Sequence, residues 1–207
     1  MASERPDMPP LRSEDLLPDP IEQFGRWWQK AEAEVPLASA MTLATVDELG
    51  APDARMVLLK GFDEEGFRFF TNYESDKAEQ LEGSGRAALI LYWRELDRQV
   101  RIRGTVERLG DEASDEYFAS RARESQLGAW ASPQSRPLSG RGELDDKLSG
   151  IREQFGEGPI PRPSHWGGYV VRPERIEFWQ GQVGRLHDRF VYIRSDAGAW
   201  SYERLGP

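Results

Sequence analysis

Gln99-Val100-Arg101-Ile102-Arg103-Gly104-Thr105-Val106-Glu107 decides how the chain is read. Val100, Ile102 and Val106 fall on one face of an extended chain, and Gln99, Arg101 and Arg103 fall on the other. A period of two over this length is a half-buried strand, and Gly104 marks a bend or bulge within it. Similar stretches lie on either side. Residues 41–46 and 55–60, joined by a turn at 47–50, read as a hairpin. A further turn at 63–66 leads into a strand at 67–72, and 87–93 adds another. Beyond a proline-rich link at 159–163, strands fall at 168–171, 175–180, 189–194 and 199–204.

Helices are inserted between these groups. Asp19 caps the first, Pro20 suits its first turn, and Glu22 completes a capping-box-like pattern. Ile21, Phe24, Trp28 and Ala31 give that helix a buried stripe. Ser75 caps a short helix through Leu81. Two longer helices are predicted at 114–125 and 143–155, the second with Leu144, Leu148, Ile151 and Phe155 as its apolar stripe. Between them, 128–135 reads as a small-residue loop that allows close approach to something flat. Residues 1–18, rich in proline and charge, read as a flexible arm, and 19–207 as a single domain. The fold class is mainly β with inserted helices (α+β), a β-barrel with helical additions. Regular strand–helix alternation, Gly-x-Gly-x-x-Gly and the P-loop are all missing, which argues against a dinucleotide-binding sheet.

Composition narrows the function. A formal charge of −9 argues against a general nucleic-acid binder, because the phosphate backbone would be repelled. With no cysteine, disulfides, thiolate catalysis and zinc–thiolate sites are excluded. His165 and His187 show no metal-ligand spacing, and no Gly-x-Ser-x-Gly elbow is present, so neither a metal nor a serine nucleophile is expected. No apolar run approaches membrane-spanning length and no signal-peptide core is seen, so no membrane association and a cytoplasmic location are expected. Without metal or nucleophile, a borrowed organic cofactor becomes attractive.

Three stretches carry candidate chemistry. Residues 177–189 hold a tryptophan and a histidine bracketed by arginines; read as extended chain, Arg185, His187 and Arg189 point the same way. Such a face suits an anion or an electron-rich ring, and equally suits ion pairing with acidic neighbours. On the helix predicted at 114–125, Tyr117, Arg121 and Ser125 follow at i, i+4 spacing and form one stripe. A phenol, a guanidinium and a hydroxyl in line suit a phosphate monoester, although a solvated helix face has the same pattern. Arg55-Met56-Val57-Leu58-Leu59-Lys60 is an apolar strand with cationic ends, where Lys60 either snorkels to solvent or meets a phosphate at a pocket mouth.

Taken together, these stretches resemble the pyridoxine/pyridoxamine 5′-phosphate oxidase family over nearly the whole chain. The resemblance is carried by 55–60, Phe70-Thr71-Asn72, Arg98-Gln99-Val100, 125–135, Trp166-Gly167-Gly168-Tyr169, 177–181 and 185–189. It implies an FMN-binding split β-barrel working as a homodimer, with FMN at the subunit interface. The implied flavin contacts are Arg55, Met56, Val57, Leu58, Leu59, Lys60, Phe70, Thr71, Lys77, Gln99, Gln134, Ser135, Trp179 and Arg189. The implied substrate-phosphate contacts are Lys60, Tyr117, Arg121 and Ser125, with Arg185 and His187 over the pyridine ring as catalytic residues. The implied reaction oxidises pyridoxamine or pyridoxine 5′-phosphate to pyridoxal 5′-phosphate and reduces dioxygen to hydrogen peroxide.

Three departures stand out. The stretch before Leu11 lacks the family's Arg-x-x-Tyr segment, and Asp76 occupies a position that is often basic in relatives. Ala122 replaces the usual proline in Ser120-Arg121-Ala122-Arg123, a change that a helix turn would accept. Two alternative readings remain: a related split-barrel flavoprotein acting on another small molecule, such as a phenazine precursor, and a non-catalytic protein that binds FMN or pyridoxal phosphate. The first would be expected to lose Lys60 or Arg121, and both are present.

Overall fold

The computed structural model describes residues 9–207. Helix α1 (Pro20–Glu34) leads into β1 (Ala40–Val46), β2 (Pro52–Leu58), β3 (Gly61–Asp63) and β4 (Gly66–Asn72). Helix α2 (Asp76–Ser84) then precedes β5 (Arg86–Trp93) and β6 (Arg98–Arg108). Three helices follow, α3 (Asp111–Ser120), α4 (Arg123–Ala131) and α5 (Arg141–Phe155). The chain ends in β7 (Trp166–Gln180), β8 (Asp188–Arg194) and β9 (Trp200–Leu205). All strand pairs are antiparallel, in the order β2-β1-β5-β6-β7-β4-β3, with β8 on β7 and β9 on β8.

The alternating stretch at 99–107 is the body of β6, and its pairing with β7 shifts register between Arg103 and Gly104, where Glu174 of β7 is the extra, bulged residue. Opposite Gly104 stands Pro173, which has no N–H to give a ladder and is tolerated where the ladder is already broken. The sequence reads two strands here, broken at that proline; the structure joins them into one 15-residue strand, β7. On one side of the bulge β7 pairs with β4, and on the other with β8. At the bulge the backbones approach so closely that a Cβ on Gly104 would lie 1.8 Å from the Arg172 carbonyl oxygen.

Burial follows the alternation. Val100, Ile102, Leu89, Leu91, Met41 and Leu43 are fully buried inside the barrel. Helix α1 closes one end, with the Phe24 ring 4.9 Å edge-on from Phe67 and Trp27 5.2 Å edge-on from Phe178. Asp19 caps α1 as expected, accepting from the Ile21 N–H at 2.7 Å. The hairpin turn is held by Asp47, whose Oδ1 accepts from the Leu49 and Ala51 N–H groups. Residues 1–8 of the expected arm lie outside the described residues. From Pro9 onward that stretch lies on the barrel: Leu11 and Leu16 are buried, and Tyr192 Oη donates to the Leu17 carbonyl at 2.7 Å.

The helix expected at 114–125 is two helices. Arg121 (φ −74, ψ 148) and Ala122 (φ −55, ψ 139) are extended, so α3 stops and α4 starts afresh. Gln126 stabilises the break by donating its amide to the Phe118 carbonyl at 2.9 Å, which also accepts from the Arg121 N–H that closes α3. Residues 128–131, expected as loop, are the last turn of α4. Ser75 precedes α2, but its hydroxyl donates to the Asn72 carbonyl instead of capping. Phe118, Leu127, Ile160 and Trp166 form a second apolar cluster that fastens α3 to α5 beside the barrel.

Gly104→Ala is expected to lower stability by about 1–3 kcal/mol in urea denaturation, because the added methyl meets backbone that cannot yield locally. Gly83→Ala, inside α2 with open space around it, is the control and is expected to raise stability by about 0.5–1 kcal/mol. Equal stability of Gly104→Ala and wild type would refute the close approach.

Candidate active site

A cavity of about 610 Å³ lies among β2, β4, α2, α3 and α4. Lys60, Lys77 and Arg121 line it and, among the described residues, no carboxylate does, in a chain that carries a net −9. One wall is aromatic. Phe70 stacks on Tyr117 with centroids 4.0 Å apart and on Trp166 at 5.5 Å, so three near-parallel rings are offered to the cavity.

Tyr117, Arg121 and Ser125 meet at this cavity although they do not share a helix. The extended break at Arg121–Ala122 replaces the continuous stripe. The Arg121 guanidinium lies 4.5 Å over the Trp166 ring, and its Nη1 is buried with no hydrogen-bond partner. Burial pulls its pKa below the usual arginine value. A buried charged donor without an acceptor is costly, and an anion would remove that cost. Lys60 is exposed at the rim, with Nζ 5.8 Å from the Tyr117 ring centroid.

Lys77 forms a second set of donors. Its Nζ donates to Gln134 Oε1 at 2.7 Å and to Ser75 Oγ at 3.1 Å, and Thr71 Oγ1 donates to the same Gln134 oxygen at 3.2 Å. Burial first, and then the Arg55 charge, bring the Lys77 ammonium down to about 8. Met56, Val57 and Leu58 contribute from β2, an edge strand whose outer backbone groups lack a ladder partner.

The remaining residues singled out from sequence lie elsewhere. Gln99, Trp179 and Arg189 are directly paired across β6, β7 and β8, so they form one row on one face. Arg189 Nε donates to Glu177 at 2.9 Å, and Arg101 and Arg175 also approach that buried carboxylate. The His187 ring sits 4.6 Å from Trp179, and its Nδ1 accepts from the Gln182 N–H, which leaves the proton of a neutral ring on Nε2. The reading of 177–189 as extended chain does not hold at Arg185. Gly184 and Arg185 are both left-handed (φ 68 and 62), so Arg185 ends a short 3-10 turn and is exposed, off the face of Arg189.

Residues 28–155 match the pyridoxamine 5′-phosphate oxidase family, and residues 166–207 match the pyridoxine 5′-phosphate oxidase C-terminal dimerisation region. The chain belongs to the pyridoxamine 5′-phosphate oxidase family. The pyridoxine/pyridoxamine 5′-phosphate oxidase of Salinibacter ruber is 56% identical over 200 residues, covering 95% of this chain and 93% of the relative. That of Rubrobacter xylanophilus is 55% identical over 198 residues, covering 95% and 91%. PhzG from Burkholderia lata, solved with tetrahydrophenazine-1-carboxylic acid, superposes with a TM-score of 0.90 at 29% identity, over 97% of this chain and 100% of that one. An FMN-binding protein from Nostoc punctiforme related to pyridoxamine 5′-phosphate oxidase shares the fold, with a TM-score of 0.74 at 20% identity over 91% and 98%. The α+β split barrel expected from sequence is the fold observed.

In this pyridoxamine 5′-phosphate oxidase family member, one chain brings Met56, Val57, Leu58, Lys60, Phe70, Thr71, Lys77, Tyr117, Arg121, Ser125 and Gln134 to the cavity. It does not bring Gln99, Trp179, Arg185, His187 or Arg189 there. Arg55 stands behind, bonded to Thr45, Asp53 and Gln80; Leu59 is core; Ser135 is left-handed at φ 66 in the loop beside Gln134. Asn72, Ser132 and Trp166 also line the cavity; they fall within the motifs quoted from the sequence but were not named there as contacts. Trp166, a large aromatic before two glycines, was the readable signal among them. Among the described residues no cluster of three or more histidine or acidic side chains could hold a metal, and no helix is long and apolar enough to cross a membrane.

Ala122 is not in a helix turn. Its φ of −55 lies in the range of proline, the preceding Arg121 is extended as proline requires, and its N–H donates to no backbone carbonyl among the described residues. Ala122→Pro is expected to stabilise the protein by about 0.4–1 kcal/mol, read as a raised unfolding midpoint. A lowered midpoint would mean that the break is not held as described.

Proposed function

We propose that the protein is an FMN-dependent oxidase that converts pyridoxamine 5′-phosphate and pyridoxine 5′-phosphate to pyridoxal 5′-phosphate, working as a homodimer. One observation carries the reading: an acidic chain reserves a carboxylate-free cavity for three cations, one with a buried guanidinium nitrogen that has no acceptor. The two donor sets fit two phosphates. Lys77, Gln134 and Ser135 would hold the FMN phosphate, backed by Arg55. Met56–Lys60, Phe70 and Thr71 would lie along the flavin, and a volume near 610 Å³ lies within the usual range for cofactor and ligand pockets. Lys60, Tyr117, Arg121 and Ser125 would hold the substrate phosphate.

Where the other residues lie supports the homodimer, as does the match to a C-terminal dimerisation region. Trp166 and Trp179 stand thirteen steps apart on β7, roughly 40 Å along the strand. The Gln99–Trp179–Arg189 row does not line the cavity of its own chain, and in a homodimer a second copy would supply it. In that arrangement Arg185 and His187 come from the second chain to the substrate ring. Arg185 orients the ring, and His187 Nε2 carries a proton for exchange with the substrate amine or hydroxyl. When bound, FMN supplies the two-electron acceptor for the C4′ carbon and passes the electrons to dioxygen. Pyridoxamine 5′-phosphate, water and dioxygen give pyridoxal 5′-phosphate, ammonia and hydrogen peroxide; pyridoxine 5′-phosphate and dioxygen give pyridoxal 5′-phosphate and hydrogen peroxide.

The purified protein is expected to be yellow, to bleach when pyridoxamine 5′-phosphate is added without oxygen, and to form peroxide in air. A coloured protein that pyridoxamine 5′-phosphate never bleaches would favour a PhzG-like substrate or a binding role. Arg121→Ala is expected to raise KM for the phosphorylated substrate roughly ten- to hundredfold, the loss of about 1.5–3 kcal/mol for a hydrogen bond to a charged group. Unchanged KM would remove Arg121 from the phosphate site.

Lys77 adds a pH dependence. Its folded-state value, about 8, lies below the ordinary 10.5, so between those values the folded chain holds fewer protons than the unfolded one and stability rises with pH. A phosphate beside Lys77 favours the charged form, so FMN affinity is expected to fall as pH rises through about 8. Fluorescence titration of apoprotein with FMN checks this; an affinity flat from pH 7 to 9.5 would place the phosphate elsewhere.

A further inference from the structure

We propose that Arg136 is a positioning residue for FMN capture, tying the Gln134 loop to the helix that carries Lys77. The proposal rests on reading Lys77 and Gln134 as ligands of the FMN phosphate. The Gln134 loop turns back on itself, with Arg136 N–H donating to the Pro133 carbonyl at 3.0 Å and Gln134 N–H to the Ser132 carbonyl at 2.9 Å. Ser135, between them, is held left-handed at φ 66, a conformation that costs a non-glycine residue energy. Gln134, Ser135 and Arg136 are all exposed, so no apolar burial fixes this loop.

Arg136 does the fixing. Its guanidinium donates to the Glu74 carbonyl at 2.7 Å, to Asp76 Oδ1 at 3.1 Å and to the Glu79 carboxylate. These three acceptors lie on the turn and first helical residues of α2 that also carry Lys77. One side chain thus ties the Gln134 loop to the Lys77 helix and keeps the 2.7 Å contact between Gln134 and Lys77 in register. It also sets the local charge. Asp76 and Glu79 flank Lys77 in sequence, and the Asp76 charge is felt at Lys77. Left alone, two carboxylates beside an anion site would repel a phosphate dianion; Arg136 offsets one of the two charges and so weakens that repulsion. A single exposed ion pair contributes little, but here one guanidinium holds two carboxylates and a carbonyl across a strained loop.

FMN binding to apoprotein, followed by quenching of flavin fluorescence, tests this at low and high salt. Arg136→Gln is expected to weaken FMN binding roughly three- to tenfold at low salt, with the deficit shrinking at high salt as charge is screened. Arg136→Lys is expected to recover part of the loss. Asp76→Asn, a surface change that leaves Arg136 its other two acceptors, is expected to bind FMN more tightly than wild type. FMN affinity of Arg136→Gln equal to wild type at low salt, or a deficit that salt leaves unchanged, would overturn the proposal. So would weaker binding by Asp76→Asn. If wild type itself took up no FMN, the reading of the cavity would fall together with this proposal.

Discussion

The pairing of β6 with β7 across the Gly104–Pro173 bulge is the constraint on which the rest depends. A regular ladder of 15 residues would carry β7 past β4 without offering β8 a partner in a different direction. The bulge bends the strand, so one half closes the barrel against β4 and the other extends the sheet through β8 and β9. Glycine is needed because backbone meets backbone there, and proline is tolerated because no ladder bond is lost. The same bend sets the two functional faces at opposite ends of one strand. Trp166 stands at the cavity end, and Trp179 stands at the end that carries Gln99 and Arg189.

Electrostatics then separates the cavity from the rest of the surface. Elsewhere most arginines are answered by carboxylates: Arg136 by Asp76 and Glu79, Arg162 by Asp111 and Asp115, Arg189 by Glu177. Around the cavity the pattern stops. Arg121 rests on an aromatic ring, Lys77 on an amide and a hydroxyl, and both are pulled below their ordinary pKa by burial. A protein with 36 acidic residues could have paired them, so their isolation is a property of the site and not of composition. Neutral partners hold the cations in place without neutralising them.

How much of this was legible in the sequence depends on the range of the interaction. The alternation at 99–107, the Asp19 cap and the Asp47 turn are local, and each is found where the sequence predicts it. The break at Arg121–Ala122 was not legible, because alanine is a good helix former and the i, i+4 spacing runs straight through it. What stops the helix is tertiary: Gln126 reaching back to Phe118, and Arg121 laid over Trp166. β7 was misread for the opposite reason. Proline is a strong local signal for a strand end, and only the bulge at Glu174, where the pairing with β6 shifts register, cancels it. The cavity residues at 56–60, 70–77, 117–125 and 134 were named on resemblance and motif. That a single chain separates them from Gln99, Trp179 and Arg189 follows from register, which no local pattern encodes.

The loop after β7 shows the same dependence at its sharpest. Gly184 and Arg185 are consecutive left-handed residues, and only the first is a glycine. The turn they make raises Val183 and Leu186 to 71% exposure each, beside a histidine tilted against Trp179. Among the described residues nothing covers those two apolar side chains. Strain at a non-glycine position persists where surrounding structure compensates for it, and such positions concentrate at functional sites. Among the described residues the loop is held by the Gln182 N–H donating to His187, the Leu186 N–H donating to the Val183 carbonyl and the Gln182 amide donating to the Pro9 carbonyl. A loop that is strained, apolar and exposed is what the proposed homodimer would cover, with a second copy bringing its own cavity against it.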